Sequence, residues 1–476
     1  MADHTTKRRR LAAVLVAAAA LALPLLGQGV GQATPAPASG TAARPYLGWS
    51  SWSLQSTHYP GVNPNGDYSY LTEAAVLANA HVMATKLRGA GYDYINVDSG
   101  WFADWQWNFH IDAYGRPARD TARFPDPMPV VAAKIHRMGL KFGLYYPAGL
   151  YSTAYDADTP IWGSTDGCTT RRAVLKDADG NPEPIPNQWT GWYALDFSAG
   201  NPCGYEYIRS VADMFASWGV DFLKIDGVTP GSGNNNPASL ADSSYYEVAA
   251  WHRAFDAVHW RGQILLSYSI PVSYGPYWQR NSNGARIDND VECYCDTLVG
   301  GWTHSLTERW TDVVPWLRYA RPGFWPNLDS LDVGNGAMDG LTDDERQSYM
   351  TLWAIEAAPL YLGDDLTELD AYGLRLVTNR EVIAVDQAGR PAHPVSQATQ
   401  QQVWFSRGTD GSYTVALFNL GDTAATVTAN WSDLGFTGSA SARDLWSHRE
   451  LGRFTNGFTA TVPAHGSRLL RVTPRR

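Results

Sequence analysis

"VDFLKIDGV", residues 220–228, sets a lysine and an aspartate two positions apart inside an otherwise apolar run and closes on a glycine. The run reads as a buried strand, in which successive side chains point to opposite faces. Phe222, Lys224 and Asp226 then share one face, and Leu223 and Ile225 share the other. A charged face on a buried strand demands partners, because an uncompensated buried charge is costly.

Working outward, similar β-rich runs recur at 46–52, 92–101, 140–149, 263–270, 285–291, 323–331 and 359–366, which with 220–228 makes eight. Helical patterns lie between them, such as "EYIRSVADMFASWG", with Ile208, Val211, Phe215 and Trp218 at helical spacing. Strands alternating with helices indicate a parallel sheet, and eight is the number a closed (β/α)8 TIM barrel requires. After residue 390 the texture changes to "QQVWFSRG", "SYTVALFNLG", "ATVTANWSDLG", "SARDLWS" and "SRLLRVTP". These are short strands without helices, a C-terminal antiparallel β-sandwich domain. The expected organisation is a barrel over 45–390 and a β-domain over 391–476, packed against the barrel.

The N-terminus reads as an address. A basic head with Arg8, Arg9 and Arg10, an apolar stretch, and small residues at Gly31–Ala33 make residues 1–33 a signal peptide, followed by a flexible leader over 34–44. The mature protein is therefore expected outside the cell and free of the membrane. Losing four basic residues and one acidic residue takes the net charge from −10 to −13. So acidic a chain is a poor match for nucleic acid. Four cysteines in an exported chain can pair, and of three connectivities we expect Cys168–Cys203 with Cys293–Cys295. There is no CxxC or His-rich cluster to indicate a metal site, and no cofactor is expected. Aromatics at 12% and charged residues at 18% suit an extracellular protein that stacks flat, polar ligands.

In a barrel of this kind the chemistry lies at the C-terminal ends of the strands. Asp226 ends the fourth run, Asp98 the second and Asp290 the sixth. Three carboxylates from three strands converge on one mouth.

The motifs "YLGWSSW", "GYDYINVDSGW", "RFPDPMPVVAAKIHRMGLKFGLYY", "WGVDFLKIDG", the Arg-x-x-x-Asp of "RIDND" and "TLWAIEAAPLYLGDDL" resemble, in order, those of the alpha-galactosidase family of retaining glycosidases, glycoside hydrolase family 27. The resemblance implies that Asp226 is the nucleophile and Asp290 the acid/base, and that the substrate is an oligosaccharide or polysaccharide. It assigns Asp98, Lys224 and Arg286 to the sugar hydroxyls, Trp49 to the sugar face, and Tyr145 to a place beside the nucleophile. Three positions depart from the pattern: Ser99 where many members carry a second Asp, Val228 where Cys is frequent, and Ser269 where members carry an acidic residue near the 2-hydroxyl.

The residues fit that chemistry on their own terms. Retaining hydrolysis needs one carboxylate ionised for attack and a second holding a proton for the leaving oxygen. Lys224 favours the charged form of Asp226. If the run stays extended, Asp288, Asp290 and Glu292 share a face, and like charges that close would hold a proton on one of the three. The resemblance makes release of terminal alpha-D-galactosyl residues the expected activity. Beta-L-arabinopyranosides, which have the same ring stereochemistry without the hydroxymethyl group, and isomaltosyl glucans are alternatives, and an inactive carbohydrate-binding protein is a remote one.

Overall fold

Strand and helix alternate in the computed structural model, which describes residues 41–186, 189–228, 244–267 and 276–475. The expected signal peptide and Ser269 lie outside the described residues. Eight short parallel strands form the barrel sheet: β1 (Leu47–Ser50), β2 (Tyr94–Val97), β3 (Lys141–Pro147), β4 (Phe222–Asp226), β5 (Gln263–Leu266), β6 (Gly284–Arg286), β7 (Trp325–Asn327) and β8 (Leu360–Leu362). They are hydrogen-bonded in the order β8-β1-β2-β3-β4-β5-β6-β7. The ends of that series meet where Leu331, just beyond β7, bridges in parallel to Leu362 and donates its N–H to the Tyr361 carbonyl at 2.8 Å.

The opening stretch behaves as its alternation requires. Phe222 joins Tyr46, Tyr94, Leu265 and Tyr361 in a buried cluster of its own, with the Tyr46 and Phe222 rings edge to face at 5.1 Å. Leu223 and Ile225 are fully buried in the main core, which the helices share. Lys224 and Asp226 continue the Phe222 face toward the C-terminal end of β4, in register with Tyr145 and Pro147 of β3. The barrel is tight where β1 passes β2. A Cβ on Gly48 would lie 2.8 Å from the Tyr94 Cβ, so only glycine fits there.

Helix Cys203–Ser217 buries Ile208, Val211 and Phe215, each fully removed from solvent and worth roughly 1.5–3 kcal/mol by burial of its side chain. Helix Asp343–Ile355 starts from a capping box, with the Thr342 side chain accepting from the Glu345 N–H and the Glu345 side chain accepting from the Thr342 N–H. On the same helix, Gln347 and Ser348 donate to the Ser467 and His465 carbonyls at 3.1 and 2.6 Å, tying the barrel to the C-terminal domain.

That domain contains β9 (His393–Pro394), β10 (Gln401–Arg407), β11 (Tyr413–Asn419), β12 (Ala425–Asn430), β13 (Ser439–Asp444), β14 (Arg449–Thr455), β15 (Gly457–Val462) and β16 (Ser467–Pro474). Six form an antiparallel sheet in the order β9-β10-β11-β16-β13-β14, and β12 pairs with β15. A core of Val415, Leu417, Trp431, Phe458 and Leu470 lies between the two sheets. All four cysteines are paired as expected, Cys168 with Cys203 and Cys293 with Cys295.

Candidate active site

The charged face of β4 meets Asp98, which follows directly on β2. The Lys224 ammonium donates to Asp98 Oδ2 at 3.0 Å, with both side chains buried. Asp98 is held rigidly: Ser50 Oγ and Asn96 Nδ2 donate to the same oxygen, and the Ser99 N–H donates to Oδ1 at 2.8 Å. Burial opposes the charge on Lys224, but Asp98 and then Asp226 outweigh it and raise the ammonium above its ordinary pKa.

Asp226 is the last residue of β4, and Gly227 follows in the left-handed region at φ +69. That turn, open to glycine without cost, directs the Gly227 N–H onto Asp226 Oδ1 at 2.8 Å. This is why the run closes on a glycine. Burial nonetheless pushes the Asp226 carboxyl up, against the pull of Lys224, and Asp290 across the mouth adds to the rise. Lys224 does favour the ionised form as expected, but burial outweighs it. The Tyr145 hydroxyl lies beside the side chains of Asp226 and Ser99, and burial, then Asp226 and Asp98, push it well above its ordinary pKa.

On the far side the expectation needs correcting. β6 stops at Arg286, so Asp288, Asp290 and Glu292 lie on a turning loop and do not share one face. Asp288 turns to Arg309 at 3.2 Å. Asp290 takes Arg286 Nη2 at 2.9 Å and a hydrogen bond from the Tyr294 hydroxyl. Burial pushes its carboxyl up, but Arg286, Tyr294 and Lys224 outweigh burial and hold it below the ordinary range. The retained proton belongs to Glu292 instead. Burial first, then Asp329 and Asp290, push this carboxyl up to about 8. Ser53 and Ser330 donate to its Oε1 at 2.8 and 2.6 Å, while buried Oε2 meets no donor. A carboxyl that keeps its proton is a donor as well as an acceptor, and Asp329 lies beside it to accept.

Asp329 was not anticipated. It sits two residues past β7 with φ +85, takes Arg286 Nη1 at 2.8 Å, and accepts from the Val291 N–H at 2.7 Å. The strand-end reading that singles out Asp98 and Asp226 would have found it, and also Asp364 beyond β8, had it been applied to the seventh and eighth runs. Trp49 departs from the expected picture in another way. Its ring is 0% exposed and its indole N–H donates to the Asp364 carbonyl at 2.8 Å, which places it in the wall and leaves no ring surface for a sugar.

Among the described residues, two groups of three carboxyls lie close enough to share a cation, Asp288–Glu308–Asp312 and Asp290–Glu292–Asp329. Each already contains a guanidinium, Arg309 in the first and Arg286 in the second. Among the described residues no helix is long and apolar enough to cross a membrane. The arrangement is thus a polar mouth in which two buried cations hold carboxylates on opposite sides of Asp226.

Comparison with known proteins gives the same reading. The profile described as "Alpha galactosidase A" matches residues 44–159 and 193–388, and that of the "Alpha galactosidase C-terminal beta sandwich domain" matches 398–472. The chain is 28% identical over 451 residues to an alpha-galactosidase of Cyamopsis tetragonoloba, covering 92% of this chain and 88% of that one. Among solved structures, a family-27 beta-L-arabinopyranosidase from Geobacillus stearothermophilus, in complex with arabinose, is similar at a TM-score of 0.76 and 27% identity, covering 91% of this chain and 98% of that one. Alpha-galactosidase I from Mortierella vinacea is similar at a TM-score of 0.66 and 26% identity, with the same coverage. With both its barrel and its β-domain matched, the chain belongs to the alpha-galactosidase family, glycoside hydrolase family 27.

Proposed function

We propose that the protein is an exported retaining exo-glycosidase that releases terminal alpha-D-galactosyl residues. One observation carries this reading: Asp290 raises the Asp226 carboxyl across the mouth, and each of the two lies within the field of a buried cation, Lys224 on one side and Arg286 on the other. Asp226 attacks the anomeric carbon while the bond to the leaving oxygen breaks and that oxygen takes a proton from Asp290. Asp290 then removes a proton from water, which attacks the same carbon and frees Asp226. At rest burial raises the Asp226 carboxyl while Arg286, Tyr294 and Lys224 lower that of Asp290, the opposite of what the two roles need, so substrate has to reverse that order. A sugar hydroxyl that takes the Arg286 N–H from Asp290 weakens one of the pulls that hold its carboxyl down. Asp98 and Lys224 hold the ring hydroxyls through charge-assisted hydrogen bonds, Tyr145 and Ser99 line the approach to the nucleophile, and Ser269 is assigned to the 2-hydroxyl side. Export is supported by the N-terminal sequence and by the two disulfides.

A second reading, cleavage of beta-L-arabinopyranosides, is favoured by Ser99, which puts a neutral hydroxyl where a carboxylate would bind an outer hydroxyl, and by the likeness to the Geobacillus arabinopyranosidase. The nitrophenyl alpha-D-galactoside, beta-L-arabinopyranoside and alpha-D-glucoside, assayed side by side, separate the readings, and proton NMR of the first-formed sugar tests retention. Fastest release from the galactoside with retained configuration is expected. Fastest release from the arabinopyranoside establishes the second reading, and an inverted product refutes the covalent mechanism.

A further inference from the structure

A chain of aromatic rings leads away from Asp290. The Tyr294 hydroxyl donates to the Asp290 carboxylate, and the Trp52 indole N–H donates back to that hydroxyl at 3.4 Å. Trp52 stacks on Tyr68 at 5.7 Å and 23°, Tyr68 meets Trp107 edge-on at 5.1 Å, and Trp107 continues to Phe109 at 6.2 Å. The rings come from the segments that follow β1, β2 and β6, on the mouth side of the barrel, with Trp52 opening a short helix (Trp52–Ser56) and the others in loops. Tyr294 is 43% exposed, and Trp52, Tyr68 and Trp107 are each partly exposed.

The backbone beneath these rings is strained. Tyr68, Trp107 and Tyr294 have φ of +62, +62 and +54, a region that bulky side chains avoid because of the clash at Cβ. Three aromatics in left-handed conformation within one ring chain, one exposed and two partly exposed, is a costly arrangement for packing alone. Strain of this kind persists where the surroundings impose it and clusters at ligand clamps. The Cys293–Cys295 disulfide brackets Tyr294, and the Cys295 carbonyl accepts from the His58 N–H and Thr57 Oγ1, so the loop presenting the ring is anchored on both sides.

We infer that Trp52, Tyr68, Trp107 and Tyr294 form the subsite for the leaving-group sugar, a stacking platform that begins at the acid/base and extends outward along the oligosaccharide. The inference rests on the proposed role of Asp290, which places the leaving oxygen at the inner end of the ring chain. Pyranose rings present flat C–H faces to aromatic surfaces, so the occupant is a neutral saccharide of one or two units. Tyr294 acts at the junction, touching Asp290 and bordering the first of those units.

The test compares substrates that differ only in the leaving group: raffinose, which leaves as a disaccharide, and alpha-D-galactosyl fluoride, which leaves as a single atom with nothing to stack. If the arabinopyranosyl ring is preferred, the corresponding disaccharide and fluoride replace them. Tyr68→Gly and Trp107→Gly remove the ring and suit the left-handed backbone, so folding is preserved while the platform is lost. Each should lower the ratio of kcat/KM for oligosaccharide over fluoride by about tenfold. Trp162→Ala, an exposed ring packed on Tyr114 outside the chain, should leave the ratio unchanged. An unchanged ratio in both glycine variants, or an equal fall in Trp162→Ala, overturns the platform while leaving the hydrolase reading intact. Wild-type protein that cleaves neither substrate overturns the hydrolase reading and the platform with it.

Discussion

The two buried cations under the mouth face different surroundings. Lys224 has one close carboxylate, Asp98, whose oxygens are otherwise saturated by Ser50, Asn96 and the Ser99 N–H. Arg286 has two, Asp290 and Asp329, with Glu292 behind them and Asp332 deeper still, its oxygens unpartnered. The first side is close to charge balance. The second carries more carboxyls than its guanidinium can neutralise, and in a buried site the excess must keep protons. The difference teaches that the Lys224–Asp98 wall is fixed by a matched ion pair while the Arg286 wall carries excess carboxyls that titrate, so pH should act on the β6–β7 side and, on the β2–β4 side, only at Asp226, whose carboxyl burial pushes up.

Breaking the two sides apart begins with the proposed nucleophile. Asp226→Asn should fold normally and lose about 10⁴-fold or more of kcat on every substrate, because the covalent step has no substitute. Retention of more than a few per cent of turnover would contradict the assignment. Asp290→Ala should cost about 10²- to 10⁴-fold on substrates with poor leaving groups but far less on activated aryl glycosides in the first step. Azide should then restore turnover and give a glycosyl azide, since it needs no deprotonation. Rescue of Asp288→Ala or Glu292→Ala in place of Asp290→Ala would assign the acid/base to a neighbour.

The titrating wall is sharpened by Glu292→Gln. Glu292 holds its proton up to about 8 when folded, against an ordinary 4.5. Its stabilising contribution is therefore fully present below pH 4.5 and is lost as pH rises through about 8. The amide keeps a donor toward Asp329 without titrating, so the variant should show a flatter fall in stability across that window, measured by denaturant unfolding at several pH values. Parallel pH profiles for variant and wild type would show that Glu292 is not the proton holder. The smallest effect is expected at Ser99. Ser99→Asp should shift the galactoside to arabinopyranoside kcat/KM ratio by about tenfold toward galactoside, the scale of one charge-assisted hydrogen bond. An unchanged ratio would remove position 99 from recognition of the outer hydroxyl.

The fixed wall was the legible one. Lys224 and Asp226 lie on one strand, where alternation alone assigns their face, and Asp98 follows a strand of clear pattern. The titrating wall depends on where a strand of three residues stops and on a contact closed only by the complete barrel. Extending β6 through Glu292 put Asp288 beside Asp290, whereas the chain turns after Arg286 and sends Asp288 to Arg309. Asp329 reaches Arg286 only because β7 follows β6 around the barrel. The same limit applies in the β-domain. β14 is largely exposed and shows no apolar alternation, so "RELGRFT" carried no strand signal. Tyr294 lies in a loop between two cysteines, where periodicity has nothing to say.

The central claim is that the Lys-x-Asp face of β4 supplies the covalent nucleophile of a retaining glycosidase. The most direct measurement is to treat the enzyme with a 5-fluoroglycosyl fluoride of the preferred ring, which forms the glycosyl-enzyme and releases it slowly, and then to locate the label by peptide mass spectrometry. The account predicts one glycosyl group per chain on the peptide containing Asp226, and none in Asp226→Asn. Label on Asp290 or Asp98, or an unlabelled enzyme that turns substrate over with inversion, would contradict it.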